Sequence, residues 1–140
     1  MVASGFVWAL SCTPANATAV AGSWGVYAGP KACLDYRADW GVYVTGCNGS
    51  TYQTWYFDPD VPKTALRQRA SGLCLTVRSG GPVMRACNAS DPAAFWHVAG
   101  PNLAINNDYY PFNCLGRQTN DRVNLAICTG GESQVWYMWP

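Results

Sequence analysis

The stretch Cys47–Trp55 reads CNGSTYQTW: it begins with a Cys, continues through a small polar loop and ends in Gln-x-Trp. A second stretch, Cys128–Trp136, reads CTGGESQVW and places its Cys, Gln and Trp at the same spacing. Such a recurrence in a chain of 140 residues indicates an internal repeat, and a repeat decides the fold because each copy forms one structural unit.

Three independent markers recur along the chain with a period of 40 or 41 residues. They are a Cys that precedes a Leu, a second Cys, and a Trp. In chain order these markers are Cys33, Cys74 and Cys114; Cys47, Cys87 and Cys128; and Trp55, Trp96 and Trp136. Their agreement predicts three equivalent units, each of which has the same arrangement of Cys and Trp.

The six periodic Cys favour disulfides within the units. The two Cys of a unit are 13 or 14 positions apart, and two antiparallel strands joined by a hairpin would bring them into bonding range. The simplest pairing is Cys33 with Cys47, Cys74 with Cys87, and Cys114 with Cys128, although spacing alone does not fix the connectivity. Cys12 is left over, and an odd Cys in a secreted chain indicates an intermolecular disulfide.

The composition predicts an all-β domain. The chain is 49% hydrophobic and 12% charged, so it can build a core. Fourteen Gly and nine Pro divide it into short apolar runs without a helical stripe, which is typical of many short strands. Four strands in each unit give twelve strands, which would close a barrel about a pseudo-threefold axis. Its predicted core layers are Leu34, Leu75 and Leu115, and Trp55, Trp96 and Trp136.

These features resemble the ricin-type β-trefoil lectins, which are also classed as family 13 carbohydrate-binding modules. Gln-x-Trp is intact at Gln53–Trp55 and Gln134–Trp136, and the middle unit has Ala94–Trp96 instead. The resemblance implies a β-trefoil domain over residues 23–140, preceded by an N-terminal arm over residues 1–22. It also implies a non-catalytic, lectin-like module in which the Trp of the motif fills the core and the Gln braces nearby backbone.

The resemblance further locates the sugar-binding positions of each unit. In ricin-type lectins an Asp lies two positions after the first Cys, an aromatic residue lies two before the second Cys, and an Asn often precedes Gln-x-Trp. The first unit keeps only the Asp, and the other units keep none of the three. The residues at these positions are Asp35, Thr45 and Tyr52; Thr76, Arg85 and Ala93; and Gly116, Ala126 and Ser133. We therefore expect at most one weak, modified site, in the first unit.

A neutral sugar needs an aromatic ring beneath its apolar face and fixed acceptors for its hydroxyl protons. The Asp35 carboxylate is the predicted acceptor, because it can accept charge-assisted hydrogen bonds. The candidate aromatic and hydrogen-bonding residues around it are Trp40, Tyr43, Asn48, Tyr52 and Gln53. Three structural alternatives stay open: a turn aromatic that caps the barrel at Trp40, an Asx-type turn or Arg37 contact at Asp35, and loop packing at Tyr52. The partner we expect is a galactose-type or other neutral glycan.

Other chemistry has little support in the sequence. His97 is the only His and follows a predicted core Trp, and Asp58 and Asp60 flank a Pro that indicates a turn. We predict no enzyme activity, no cofactor and no metal site. The net charge of +1 argues against a nucleic-acid partner, and the N-terminal apolar run is too short to insert across a membrane. In the third unit, Tyr109 and Tyr110 predict one exposed ring.

A second interpretation of the function stays open, in which a trefoil without sugar binding acts as a binding or assembly subunit of a toxin or another secreted complex. Binding subunits of cytolethal distending toxins are similar in kind. The arm over residues 1–22 and Cys12 fit contact with a partner protein, although the arm also fits a signal-peptide remnant. Seven Cys predict a secreted, extracellular chain, with glycosylation sequons at Asn16, Asn48 and Asn88.

Overall fold

The computed structural model describes residues 23–27, 32–98 and 103–139. The predicted N-terminal arm, including Cys12 and the sequon at Asn16, lies outside the described residues. Within the described ranges no helix has the length and apolar character needed to cross a membrane.

The described residues form thirteen short strands, which confirms the all-β prediction. The strands are β1 Ser23–Tyr27, β2 Ala32–Arg37, β3 Gly41–Gly46, β4 Thr54–Tyr56, β5 Thr64–Ala65, β6 Arg67–Gln68, β7 Cys74–Arg78, β8 Gly81–Arg85, β9 Phe95–His97, β10 Asn106–Asn107, β11 Asn113–Arg117, β12 Val123–Ile127 and β13 Tyr137–Trp139. Only Leu66 separates β5 from β6, so this pair corresponds to one predicted strand.

Each repeat contributes an antiparallel hairpin with the same register. The hairpins are β2–β3, β7–β8 and β11–β12, and the Leu that follows the first Cys lies opposite an apolar residue in all three. These pairs are Leu34 and Val44, Leu75 and Met84, and Leu115 and Leu125. Because side chains alternate across a strand, the register directs all three Leu to the barrel interior, where each is fully buried.

The core confirms the predicted pseudo-threefold arrangement of Leu and Trp. All three periodic Trp are fully buried. A buried indole needs an acceptor for its N–H, and each Trp uses the carbonyl of the periodic Leu that lies 21 positions earlier. The Nε1–O distances are 3.1 Å from Trp55 to Leu34, 2.9 Å from Trp96 to Leu75 and 2.9 Å from Trp136 to Leu115. The same bond therefore joins the two core layers three times.

The three predicted disulfides are present. Cys33 pairs with Cys47, Cys74 with Cys87, and Cys114 with Cys128, at Cα–Cα distances of 5.1, 5.0 and 5.0 Å. Each closes the hairpin of its own repeat and is worth roughly 3 kcal/mol in the chain-entropy description.

The first strand connects the two ends of the described domain. β1 pairs with β13 of the last repeat and with β2 and β4 of the first. This pairing covers the strand edges that the first and last repeats would otherwise expose. It also fixes the β2–β3 hairpin beside the Gln-x-Trp segment of the first repeat, where the candidate site lies.

Candidate functional site

A cavity of about 740 Å³ lies in the first repeat, between the β2–β3 hairpin, the loop that carries Gln-x-Trp and a short segment of the second repeat. Four of the six predicted sugar-binding residues line it: Asp35, Tyr43, Asn48 and Tyr52. The second repeat contributes Gln68, Ala70 and Ser71. The volume is in the range that small-molecule sites occupy.

Asp35 is the buried acid of this cavity. It lies on β2 directly opposite Tyr43 of β3 and is 3% exposed. Its Oδ2 atom accepts a hydrogen bond from Nε2 of Gln53 at 3.0 Å, whereas its Oδ1 atom has no hydrogen-bond partner among the described residues. Burial raises the pKa of Asp35 above its ordinary value of 3.8, and the Gln53 hydrogen bond partly opposes this rise.

Gln53 is buried and its side chain is fully engaged within the protein. Its Oε1 atom accepts from the backbone N–H of Asn48 at 2.8 Å, and its Nε2 atom donates to the carbonyl of Gly46 as well as to Asp35. Gln134 makes the equivalent bonds to the Thr129 N–H and the Ile127 carbonyl in the third repeat. Gln53 therefore braces the loop and orients the Asp35 carboxylate.

Trp40 is half exposed and does not belong to the described residues that line the cavity. Its ring lies 5.6 Å from that of Tyr43, centroid to centroid, at 57°. The guanidinium of Arg122, from the third repeat, lies over the Trp40 ring at 4.8 Å and donates to the Trp40 carbonyl. Trp40 thus supports Tyr43 from the side, and Arg122 occupies one face of its ring.

The loop residues Asn48 and Tyr52 lie at the rim. Oδ1 of Asn48 accepts from the backbone N–H of Ser50 at 2.9 Å, which closes an Asx-type turn. Tyr52 is 51% exposed, and its carbonyl accepts a hydrogen bond from Nε2 of Gln68 at 2.7 Å.

Burial and the nearby Asp35 charge raise the pKa of Tyr43, so its hydroxyl is retained as a donor.

Gln68 lines the cavity, although the sequence did not predict it as a candidate. It is fully buried, and Nε2 donates to the carbonyls of Tyr36 at 3.2 Å and Tyr52 at 2.7 Å. Its Oε1 atom has no hydrogen-bond partner among the described residues. One signal was present in the sequence: Gln68 lies two positions after Leu66, so an extended chain directs both side chains to the same, interior side.

The equivalent positions of the other two repeats are closed. Thr76 is buried, and its hydroxyl donates to the carbonyl of Cys74 at 3.1 Å. A Cβ atom on Gly116 would lie 2.7 Å from Oδ1 of Asn124, which is the residue opposite it on β12. In the second repeat the position of Asp35 therefore holds a hydroxyl that already has a hydrogen-bond partner. In the third repeat the amide of Asn124 lies where a side chain on Gly116 would start.

The remaining polar candidates form local contacts. Nε2 of His97 lies 3.0 Å from Oδ1 of Asp108, and Oδ1 of Asp58 accepts from the N–H of Asp60 in a turn. Tyr109 and Tyr110 are both exposed, whereas the sequence predicted one exposed ring, and they meet edge to face at 4.8 Å. Across the described parts of the chain, no group of three or more His, Cys, Asp and Glu side chains is arranged to hold a metal ion.

Comparison with known proteins supports the same fold. A family model described as the ricin-type beta-trefoil lectin domain matches residues 26–136. No curated protein sequence matches the chain.

Three solved structures illustrate the likeness. The chain is similar to the cytolethal distending toxin of Haemophilus ducreyi, with 14% identity, a TM-score of 0.72 and coverage of 95% of this chain and 89% of that one. It is similar to the designed 3-fold symmetric protein ThreeFoil, with 17% identity, a TM-score of 0.68 and coverage of 84% and 98%. It is also similar to a mosquitocidal holotoxin, with 15% identity and a TM-score of 0.70. That match covers 84% of this chain and only 17% of the holotoxin chain. At these identities the likeness shows the fold.

Proposed function

Because the chain belongs to the ricin-type β-trefoil lectin domain family, a family of carbohydrate-binding modules, we propose that it is a non-catalytic module with one sugar site, in the cavity of the first repeat. The sugar is a galactose-type or other neutral glycan. The two other repeats serve as scaffold, because Thr76 and Gly116 leave no carboxylate at the position of Asp35.

The observation that carries the proposal is the buried Oδ1 atom of Asp35, which accepts no hydrogen bond of normal geometry from the described residues even though Tyr43 and the Tyr36 backbone lower the pKa of the same carboxyl. A buried acceptor without a donor costs free energy, and a ligand hydroxyl that donates to it would recover part of that cost. Gln53 fixes the other carboxylate oxygen, so the acceptor is already oriented. A charge-assisted hydrogen bond of this kind is about twice as strong as one between neutral groups.

The aromatic platform of the proposed site consists of Tyr43 and Tyr52. Both line the cavity, whereas Trp40 lies beside it with one ring face against Arg122. Tyr52 is the more exposed of the two and offers a ring for the apolar face of a sugar. Trp40 acts on the site through its contact with Tyr43.

We expect weak binding at this site. One buried carboxylate and one or two Tyr rings give a dissociation constant from the millimolar to the high micromolar range, about −4 to −7 kcal/mol. A glycan array followed by isothermal titration calorimetry tests the proposal. The expected result is saturable binding of one equivalent of glycan, and the absence of binding to any glycan would contradict it.

A second candidate function is a binding or assembly subunit of a toxin or another secreted complex. It is favoured by two exposed apolar side chains of the third repeat, Phe112 at 81% and Ile127 at 70% exposure, and by the closed sugar positions of two repeats. Both candidate functions imply a secreted protein, which fits the three disulfides, because disulfides form and persist in oxidising compartments. Residues 1–22 and Cys12 remain the proposed contact with a partner protein.

Non-reducing gel electrophoresis of the native material tests the covalent form of the second candidate. A covalent subunit predicts a heavier, reducible band that disappears in a Cys12→Ser variant. A monomeric band in both proteins would contradict the covalent form of this second candidate.

A further inference from the structure

The cavity of the first repeat contains two buried acceptor atoms that lack a donor. Oδ1 of Asp35 and Oε1 of Gln68 have no hydrogen-bond partner among the described residues, and both residues line the cavity. The amide of Gln68 is fixed in orientation, because its Nε2 atom donates to the carbonyls of Tyr36 and Tyr52. The oxygen of Gln68, and not its NH₂ group, therefore holds this place. While Asp35 is ionised, both free oxygens can only accept hydrogen bonds.

The charge of the described lining is also unbalanced. Its ionic side chains are Asp35, Arg37 and Asp39. The Nη2 atom of Arg37 lies 3.2 Å from Oδ2 of Asp39, and the charge of Arg37 also lowers the pKa of Asp35. With Asp35 ionised, two carboxylates share one guanidinium, so one negative charge is left over in the lining.

The rings at the cavity also suit a cation. Tyr43 and Tyr52 line the cavity, and the negative face of an aromatic ring attracts an ammonium group. The guanidinium of Arg122, from the third repeat, lies over Trp40, which is outside the described lining.

We infer that this cavity prefers a sugar that carries a protonated amino group over the matching neutral, N-acetylated or acidic sugar. An ammonium group presents three donors and no acceptor, so it suits a lining whose two free oxygens can only accept and whose charge is negative. An N-acetyl group removes the charge, and a sugar carboxylate would meet Asp35 as a like charge. The inference rests on the proposed function and refines its ligand: neutral sugars bind the same site weakly, and the matching amino sugar binds it more tightly.

Access to the two oxygens requires a small rearrangement of the lining. Both atoms are buried. Tyr52 is half exposed, and exposed side chains change rotamer within nanoseconds. We propose that a rotamer change of Tyr52 opens the lining.

Calorimetric titration with four methyl glycosides of one ring tests the inference: the galactoside, the galactosaminide, the N-acetylgalactosaminide and the galacturonide. In slightly acidic, low-salt buffer we expect the galactosaminide to bind about tenfold more tightly than the galactoside. The galacturonide should bind most weakly. The advantage of the galactosaminide should shrink as salt is added, since part of it is electrostatic.

Two variants test the residues behind the preference. Asp35→Asn keeps the shape, and Gln53 would still donate to its Oδ1 atom, so the new NH₂ group takes the place of the free oxygen. The preference for the galactosaminide should then disappear. Thr45→Lys places a cation on the exposed rim of the cavity without disturbing the core, and it should reduce the same preference.

The outcomes distinguish this inference from the proposed function. Equal affinity for the galactoside and the galactosaminide, both lost in Asp35→Ala, would overturn the inference and leave the sugar site in place. Preference for the galacturonide would overturn it as well. If none of the four sugars and no glycan on an array binds, both proposals fail.

Discussion

Nε2 of Gln53 donates to Oδ2 of Asp35 across 3.0 Å, so the motif that builds the barrel also orients the carboxylate of the candidate site. This link is specific to the first repeat. In the third repeat Gln134 makes the same backbone bonds, but the residue at the position of Asp35 is Gly116. The Gln of the motif therefore braces the loop in both repeats, but only Gln53 also orients a carboxylate.

This relationship predicts different effects for two matched substitutions. Gln53→Leu and Gln134→Leu should each destabilise the fold by roughly 1–3 kcal/mol, because each leaves buried backbone groups without a partner. Gln53→Leu alone should also weaken glycan binding. Urea unfolding and calorimetry measure the two effects, and equal affinities in both variants would show that Gln53 does not position Asp35.

The raised pKa of Asp35 predicts a pH-dependent stability. Burial is the main cause of the rise, and the groups around the carboxylate that oppose it are Gln53, Tyr36, Tyr43 and Arg37. When the folded pKa exceeds the unfolded one, the folded state holds the proton more tightly. The contribution of Asp35 to stability is then fully present below the unfolded pKa and is lost as the pH rises through the folded pKa.

An Asp35→Asn variant isolates this effect. Its free energy of unfolding, relative to that of the parent chain, should rise with pH above the ordinary Asp value of 3.8. Urea unfolding at several pH values measures the difference. A difference that stays constant with pH would show that the pKa of Asp35 is the same in the folded and unfolded chains.

The two aromatic candidates of the site should differ in their effects on binding. Tyr52 lines the cavity, so Tyr52→Ala should cost about 0.5–1.5 kcal/mol of binding free energy through the lost ring contact. Trp40→Ala should cost less, because its ring contacts Tyr43 and Arg122 outside the described lining. Calorimetry with circular dichroism as the folding control tests the order, and a larger loss for Trp40→Ala would reverse the assignment.

The middle repeat offers a test of the pseudo-threefold core. Trp96 donates to the Leu75 carbonyl although its motif lacks the Gln. Trp96→Phe should therefore destabilise the protein about as much as Trp55→Phe, by roughly 1–3 kcal/mol, because each leaves a buried carbonyl without a donor. Thermal unfolding compares the two, and a tolerated Trp96→Phe would show that the middle repeat relies less on this bond.

The features that the sequence predicts are those that repeat. The pairing of Cys33 with Cys47 and the burial of Leu34 and Trp55 follow from side-chain types that recur in three copies, and local strand geometry places them in the same way each time. The agreement of three repeats therefore predicts the disulfide pairing and the buried residues, which a single repeat would not predict.

The features that the sequence analysis missed arise from contacts between repeats. Arg122 lies 82 positions from Trp40, and nothing local to either residue indicates that they meet. Gln68 belongs to the second repeat but completes a cavity of the first. Such contacts depend on how the hairpins pack around the axis, which no periodic spacing encodes.

The central claim is that the first repeat holds the sugar site through Asp35, and calorimetric titration of an Asp35→Ala variant with a bound glycan tests it most directly. Thr76→Ala is the matched control, since Thr76 holds the equivalent position in the second repeat, and circular dichroism verifies the fold of both. The account predicts that Asp35→Ala loses about 1.5–3 kcal/mol of binding free energy, roughly ten- to a hundredfold, while Thr76→Ala binds as the parent does. Undiminished binding in a folded Asp35→Ala protein would contradict the account.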